Sequence, residues 1–118
     1  MIVNYTTLDG RMTVQVEGKT QTDIVEQLAD FQEVFEVGPC TRNGKTSEKV
    51  KFQVREVEGN KYYELVCTDQ DPDLRGSRLS FGQHKKGGTL FPKRKDADGK
   101  WLDNNGWTRW NANTKKEE

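Results

Sequence analysis

Seven basic side chains, Arg75, Arg78, Lys85, Lys86, Lys93, Arg94 and Lys95, fall between Leu74 and Lys95, a stretch with no acidic residue that also holds the chain's one histidine, His84. Phe81 and Phe91 interrupt this run, Trp101, Trp107 and Trp110 follow it, and Gly82, Gly87 and Gly88 break it. Lys and Arg neutralise phosphates and release condensed counterions. Flat rings stack on unpaired bases, at roughly 1–3 kcal/mol per base and with little regard to sequence. Glycines let a loop wrap a strand. The combination points to a single-stranded polyanion as ligand. A solvated cationic face that merely balances acids elsewhere is the plain alternative. Against it stand the absence of acids, the Gly-Gly directly after Lys85-Lys86, and a second cationic set, Lys51 and Arg55, beside Tyr62 and Tyr63. About half of the aromatic residues are expected in the core, Phe81 and Trp107 first among them. No basic helix is present to read a duplex major groove.

Two other chemistries can be weighed. Asp69, Asp71 and Asp73 begin like a calcium loop, but Leu74 stands where a glycine is wanted and Ser80 where a bidentate acid is wanted. The same carboxylates could hold divalent metal in a nuclease, although no second acidic cluster with a general base accompanies them. His84, Cys40 and Cys67 are one ligand short of a structural zinc site. Neither a metal nor another cofactor is therefore expected, and the two cysteines read as free thiols.

The elements that must position these residues follow from periodicity. Arg11–Glu17 alternates as a strand. Thr20–Glu36 carries Ile24, Leu28, Phe31 and Phe35 at helical spacing, with a Thr20 cap and a Gly38-Pro39 stop. Its acidic outer face is expected to lie away from any phosphate. Thr41–Glu48 reads as a polar loop. Val50–Arg55 and Tyr62–Thr68 read as one hairpin with a Gly-Asn turn. Leu79–Phe81, Thr89–Phe91 and Trp107–Trp110 are short strand candidates, and residues 114–118 a frayed tail.

The whole chain of 118 residues suits one domain, over residues 1–113, and the fold class expected is α+β, mostly antiparallel β. Lys+Arg and Asp+Glu are equal at 19 each, so the positive charge is local. No leader-like segment and no run long enough for a membrane span occurs, and no membrane partner is expected.

The run from Leu79 to Arg94, with Lys100-Trp101-Leu102, Gly106-Trp107 and the upstream Gly59-Asn60-Lys61-Tyr62-Tyr63-Glu64-Leu65, resembles the small single-stranded DNA-binding proteins of lactococcal phages. The resemblance implies an OB-fold-like barrel of about five strands, here with one helix near the N-terminus. It also implies a non-catalytic, non-sequence-specific single-stranded DNA-binding homodimer, acting in phage replication or recombination beside host or phage recombination proteins, in the cytoplasm of the infected bacterium. Carried onto this chain, the groove would use Lys51, Arg55, Arg78, Lys85, Lys86, Lys93, Arg94 and Lys95, with Tyr63, Phe91 and Trp101 as stacking platforms. Two rivals remain, a metal-dependent phage nuclease or resolvase built on Asp69, Asp71 and Asp73, and a non-catalytic protein-binding adaptor. An OB-fold helix usually falls between the third and fourth strands, whereas the clear helix here follows the first expected one.

Overall fold

The computed structural model describes residues 1–85 and 88–117. It opens with an antiparallel hairpin, β1 (Ile2–Thr6) and β2 (Thr13–Glu17), paired from Ile2↔Glu17 to Thr6↔Thr13. Val3 and Tyr5 share a face with Val14 and Val16, so the first strand alternates as the second does. The helix α1 (Gln21–Phe35) starts at a capping box: the Asp23 amide donates to Thr20 Oγ1 at 3.2 Å, and the Thr20 amide donates to Asp23 Oδ2 at 3.1 Å. Ile24 and Val34 are its buried residues, and Phe31 meets Tyr5 edge-on with ring centres 6.1 Å apart. Val25 and Phe35 stay exposed, so the apolar stripe is only partly covered.

A second hairpin, β3 (Cys40–Arg42) and β4 (Lys45–Ser47), occupies what periodicity assigns to a polar loop. Its turn residues Asn43 and Gly44 both have positive φ, 52° and 75°, the geometry of a type I′ turn. Next comes a four-stranded antiparallel sheet in chain order, β5 (Val50–Val57), β6 (Asn60–Cys67), β7 (Arg78–Gln83) and β8 (Leu90–Pro92). The β5–β6 hairpin turns at Glu58-Gly59, not at Gly-Asn, with φ of 51° and 82°. Both strands therefore run longer than their apolar alternation shows. β7 pairs with β6 only over Val66–Glu64, leaving the turn end of the hairpin to project alone.

The core gathers on one side of this sheet: Leu65, Cys67, Leu79 and Phe81 from the strands, Val34 from α1, Cys40 from β3, Leu74 from the loop before β7, and Trp107. Phe81 and Trp107 are inside as expected, at 8% and 1% exposure. A short 3-10 turn (Asp103–Gly106), with Asn104 and Asn105 both left-handed, delivers Trp107 into the core. The chain then bridges back, with Thr108 pairing Arg78, and ends in β9 (Trp110–Asn111) and β10 (Lys116–Glu117). The expected frayed tail is thus partly a strand, turned back through Lys115 at φ 55°.

The class is α+β and mostly antiparallel, but no closed barrel forms among the described residues. Among the described residues ten strands divide into four sheets, and β5 and β8 are the two edges of the largest. The other strands, of two to five residues, pair only as separate hairpins and leave nothing to close it. No helix is long and apolar enough to cross a membrane among the described residues.

Candidate nucleic-acid interface

Strand alternation puts every second side chain on the sheet face opposite the core. From β5 that face receives Lys51, Gln53 and Arg55; the register adds Tyr62, Glu64 and Val66 from β6, Arg78 and Ser80 from β7, and Phe91, opposite Gly82, from β8. Beyond the strand, the Lys93 amide donates to Ser80 O at 2.9 Å, which continues the ladder and brings Lys93 to the same face. Four of the cations expected at the site, Lys51, Arg55, Arg78 and Lys93, are thus neighbours on one surface.

Glu64 lies at its centre and is only 1% exposed. Its Oε1 accepts from Gln53 Nε2 at 2.8 Å and from Arg55 Nε at 3.2 Å, while Oε2 is 4.0 Å from Arg78 Nε and accepts no hydrogen bond. A buried carboxylate persists only when paired. Here it accepts from the Arg55 Nε and lies at ion-pair distance from the Arg78 Nε. The Arg55 guanidinium also covers the Tyr62 ring, 4.9 Å from its centre. Arg78 Nη2 donates to the Glu117 carboxylate on β10.

At the other end of the face, the Phe91 ring lies over Gly82, where any Cβ would strike its ring atoms. His84 is 4.6 Å from Phe91 between ring centres, and the exposed Lys85 follows it. Lys86 lies outside the described residues.

Lys95 and Trp101 form a second group. They pair as a β-bridge, and Lys95 Nζ sits 4.6 Å from the centre of the Trp101 ring, which is 68% exposed. A groove of about 680 Å³ is lined by Trp101, Lys95, Lys93 and Phe91 together with Glu33 of α1 and its C-cap residue Glu36. The acidic helix, expected to lie away from any phosphate, thus shares a groove with two of the candidate cations, Lys93 and Lys95.

Two candidates take other places. Tyr63 faces the core side, half-buried against the core cluster, and its neighbour Tyr62 occupies the cationic face instead. Arg94 is turned inward: Nη1 donates to Asn105 O at 2.6 Å and Nη2 to Val37 O at 2.8 Å, and burial lowers its pKa. It ties the 3-10 turn to the end of α1. Glu64 is the residue that sequence reasoning missed, and Tyr62, named among the rings, was passed over for Tyr63, although the signal was available. Once β5 and β6 are paired about Glu58-Gly59, Arg55 falls opposite Tyr62 and Gln53 opposite Glu64.

The aspartates of the Asp69–Asp73 loop are engaged locally. Lys45 Nζ lies 3.2 Å from Asp71 and 2.8 Å from Asp73, and holds the Asp73 carboxyl below the usual aspartate range. Asp69 and Asp71 cap backbone amides two residues on, at 2.8 and 2.9 Å. Cys40 and Cys67 are buried in the core, while His84 is exposed beside Phe91. No group of three His, Cys, Asp or Glu side chains among the described residues is arranged to hold a metal ion. Comparison with protein-family models, with curated proteins and with solved structures finds no match to this chain.

Proposed function

We propose that the chain is a non-sequence-specific single-stranded DNA-binding protein, acting without catalysis in phage DNA replication or recombination within the bacterial cytoplasm. The observation that carries this reading is the shared sheet face of Lys51, Arg55, Arg78 and Lys93 with the rings of Tyr62 and Phe91. Cations for phosphates and flat faces for bases, on one open antiparallel sheet, are what a sequence-tolerant single-strand binder needs. The sheet β5–β8 would be the strand face of an OB-type fold left unclosed. Assembly as a homodimer belongs to the same proposal: β5 is an eight-residue edge strand, and Phe52 and Val54 on its core side are 49% and 60% exposed. Recombination proteins of host or phage would be its partners in the cell.

Retention of oligo-dT at low salt, compared with duplex DNA of equal length, tests the reading. Preferential retention of the single strand supports it, and equal or absent retention overturns it. A non-catalytic adaptor is the second reading, favoured by the groove that Glu33 and Glu36 line together with Lys93 and Lys95. The metal-dependent nuclease is less favoured because the Lys45 ammonium already bridges Asp71 and Asp73. Cleavage of labelled DNA in magnesium that is lost in Asp71→Asn would restore it.

A further inference from the structure

The two guanidinium groups held by Glu64 differ in what lies beyond them. Arg55 stacks on Tyr62, whereas Arg78 donates through Nη2 to the Glu117 carboxylate. Glu117 also accepts from the Thr108 side chain and feels the charge of Arg55. Thr108 is locked beside Arg78 by two backbone hydrogen bonds, of 2.8 and 2.9 Å. The carboxylate thus sits against the Arg78 guanidinium and the Thr108 hydroxyl, within the field of Arg55. It comes from a two-residue strand, and the Glu117 side chain is still 40% exposed.

We propose that Arg55, Arg78 and Thr108 form a seat for one phosphodiester, and that the Glu117 carboxylate fills this seat until a single strand displaces it. The inference rests on reading the sheet face as a nucleic-acid surface. A carboxylate and a phosphodiester both offer two anionic oxygens to a guanidinium fork, so either can occupy the same donors. Glu64 is the positioning residue. Buried and bonded to Arg55 Nε, with Arg78 Nε at 4.0 Å, it engages the Nε side of Arg55 and stands nearest that of Arg78, which leaves their Nη groups for an anion. Burial opposes charge on Glu117, but the hydrogen bonds from Arg78 and Thr108 and the two arginine charges outweigh it and keep the carboxyl ionised. Displacement is feasible because β10 is held by only two register pairs, Lys116↔Asn111 and Glu117↔Trp110.

Two measurements on the full chain test this. The first is oligo-dT affinity for wild type, Glu117→Gln, Arg78→Gln and the double variant. The second follows the Arg78 Nε–H resonance during titration with inorganic phosphate. Glu117→Gln keeps the side-chain shape while removing the competing charge. It is expected to bind oligo-dT roughly two- to fivefold more tightly, the range of a partly exposed ion pair. In the Arg78→Gln background the same change should have no effect, and phosphate should move the Arg78 signal at lower concentration in Glu117→Gln than in wild type. If wild type retains oligo-dT but neither affinity nor the phosphate response changes in Glu117→Gln, the seat is wrong and the wider reading survives. If phosphate moves Arg78 in Glu117→Gln yet no variant retains oligo-dT, the anion seat stands and the nucleic-acid reading falls. No response to either ligand overturns both.

Discussion

Arg94 shows why a cation cannot be assigned to a ligand by its type alone. Sequence places it between Lys93 and Lys95 in an unbroken basic triplet. Its guanidinium instead satisfies two backbone carbonyls, at Val37 and Asn105, left over by the end of the helix and the 3-10 turn. Arg94→Ala should therefore lower stability by about 1 kcal/mol, the order of lost hydrogen bonds whose Asn105 end is exposed and whose Val37 end is part-buried. Urea denaturation measures this directly. Stability equal to wild type would return Arg94 to the ligand surface. Tyr62 and Phe91 are assigned the opposite way, as exposed or half-exposed rings beside cations. Tyr62→Ala and Phe91→Ala should each weaken oligo-dT binding by roughly 1–3 kcal/mol, with Tyr63→Ala affecting stability more than binding. Fluorescence anisotropy with labelled oligo-dT decides between the two tyrosines.

The elements were legible where periodicity is carried by apolar side chains. Met12, Val14 and Val16 gave β2, Thr20 and the Ile24–Phe35 spacing gave α1 with its cap, and Val50, Phe52 and Val54 gave β5. What failed to show was structure fixed by turns and partners. β3 and β4 hold only three residues each, and little in Thr41–Glu48 is apolar, yet Asn43-Gly44 is itself a strong hairpin turn. β10 exists because Glu117 finds Arg78 and Lys116 finds Asn111, neither of which a local pattern announces. One junction between elements has a pH consequence. The Glu36 carboxylate accepts from Tyr5 Oη and from the Leu8 amide, each at 2.6 Å, which joins the end of α1 to β1. The Tyr5 hydroxyl first, and then the Leu8 amide, hold its carboxyl below the ordinary value of 4.5. A depressed folded pKa gives stability that is present above the unfolded value and is lost as pH falls through the folded one. The protection factor of the Leu8 amide, the exchange rate of a free amide at the same pH divided by its own, should therefore fall below about pH 4.5 in wild type, and be low at all pH values in Glu36→Ala. Protection unchanged by either would show that this junction does not hold the hairpin.

The molecule as a whole is long for its size. Its radius of gyration is 16.0 Å, with extents of 53 × 30 × 28 Å, against about 13.5 Å for a compact chain of this length. The sheet stays open, the β5–β6 hairpin projects beyond β7, and much of its core-side apolar surface is uncovered. Formal neutrality hid how the charges would be sorted. Alternation in β5 put Lys51 and Arg55 on the face shared by Arg78 and Lys93, and Glu64 was drawn in beneath them as a counter-charge. The location of positive charge in the chain was readable, but the face it forms depends on register, which only the paired strands define. Dependence of oligo-dT affinity on salt probes that face as a unit. If Lys51, Arg55, Arg78 and Lys93 all meet phosphates, the plot of log affinity against log salt should have a slope of roughly −3, about −0.7 for each cation. Arg55→Gln with Arg78→Gln should bring it to about half of that. A slope near zero in wild type, or one left unchanged when both arginines are replaced, would contradict a nucleic-acid surface on this sheet.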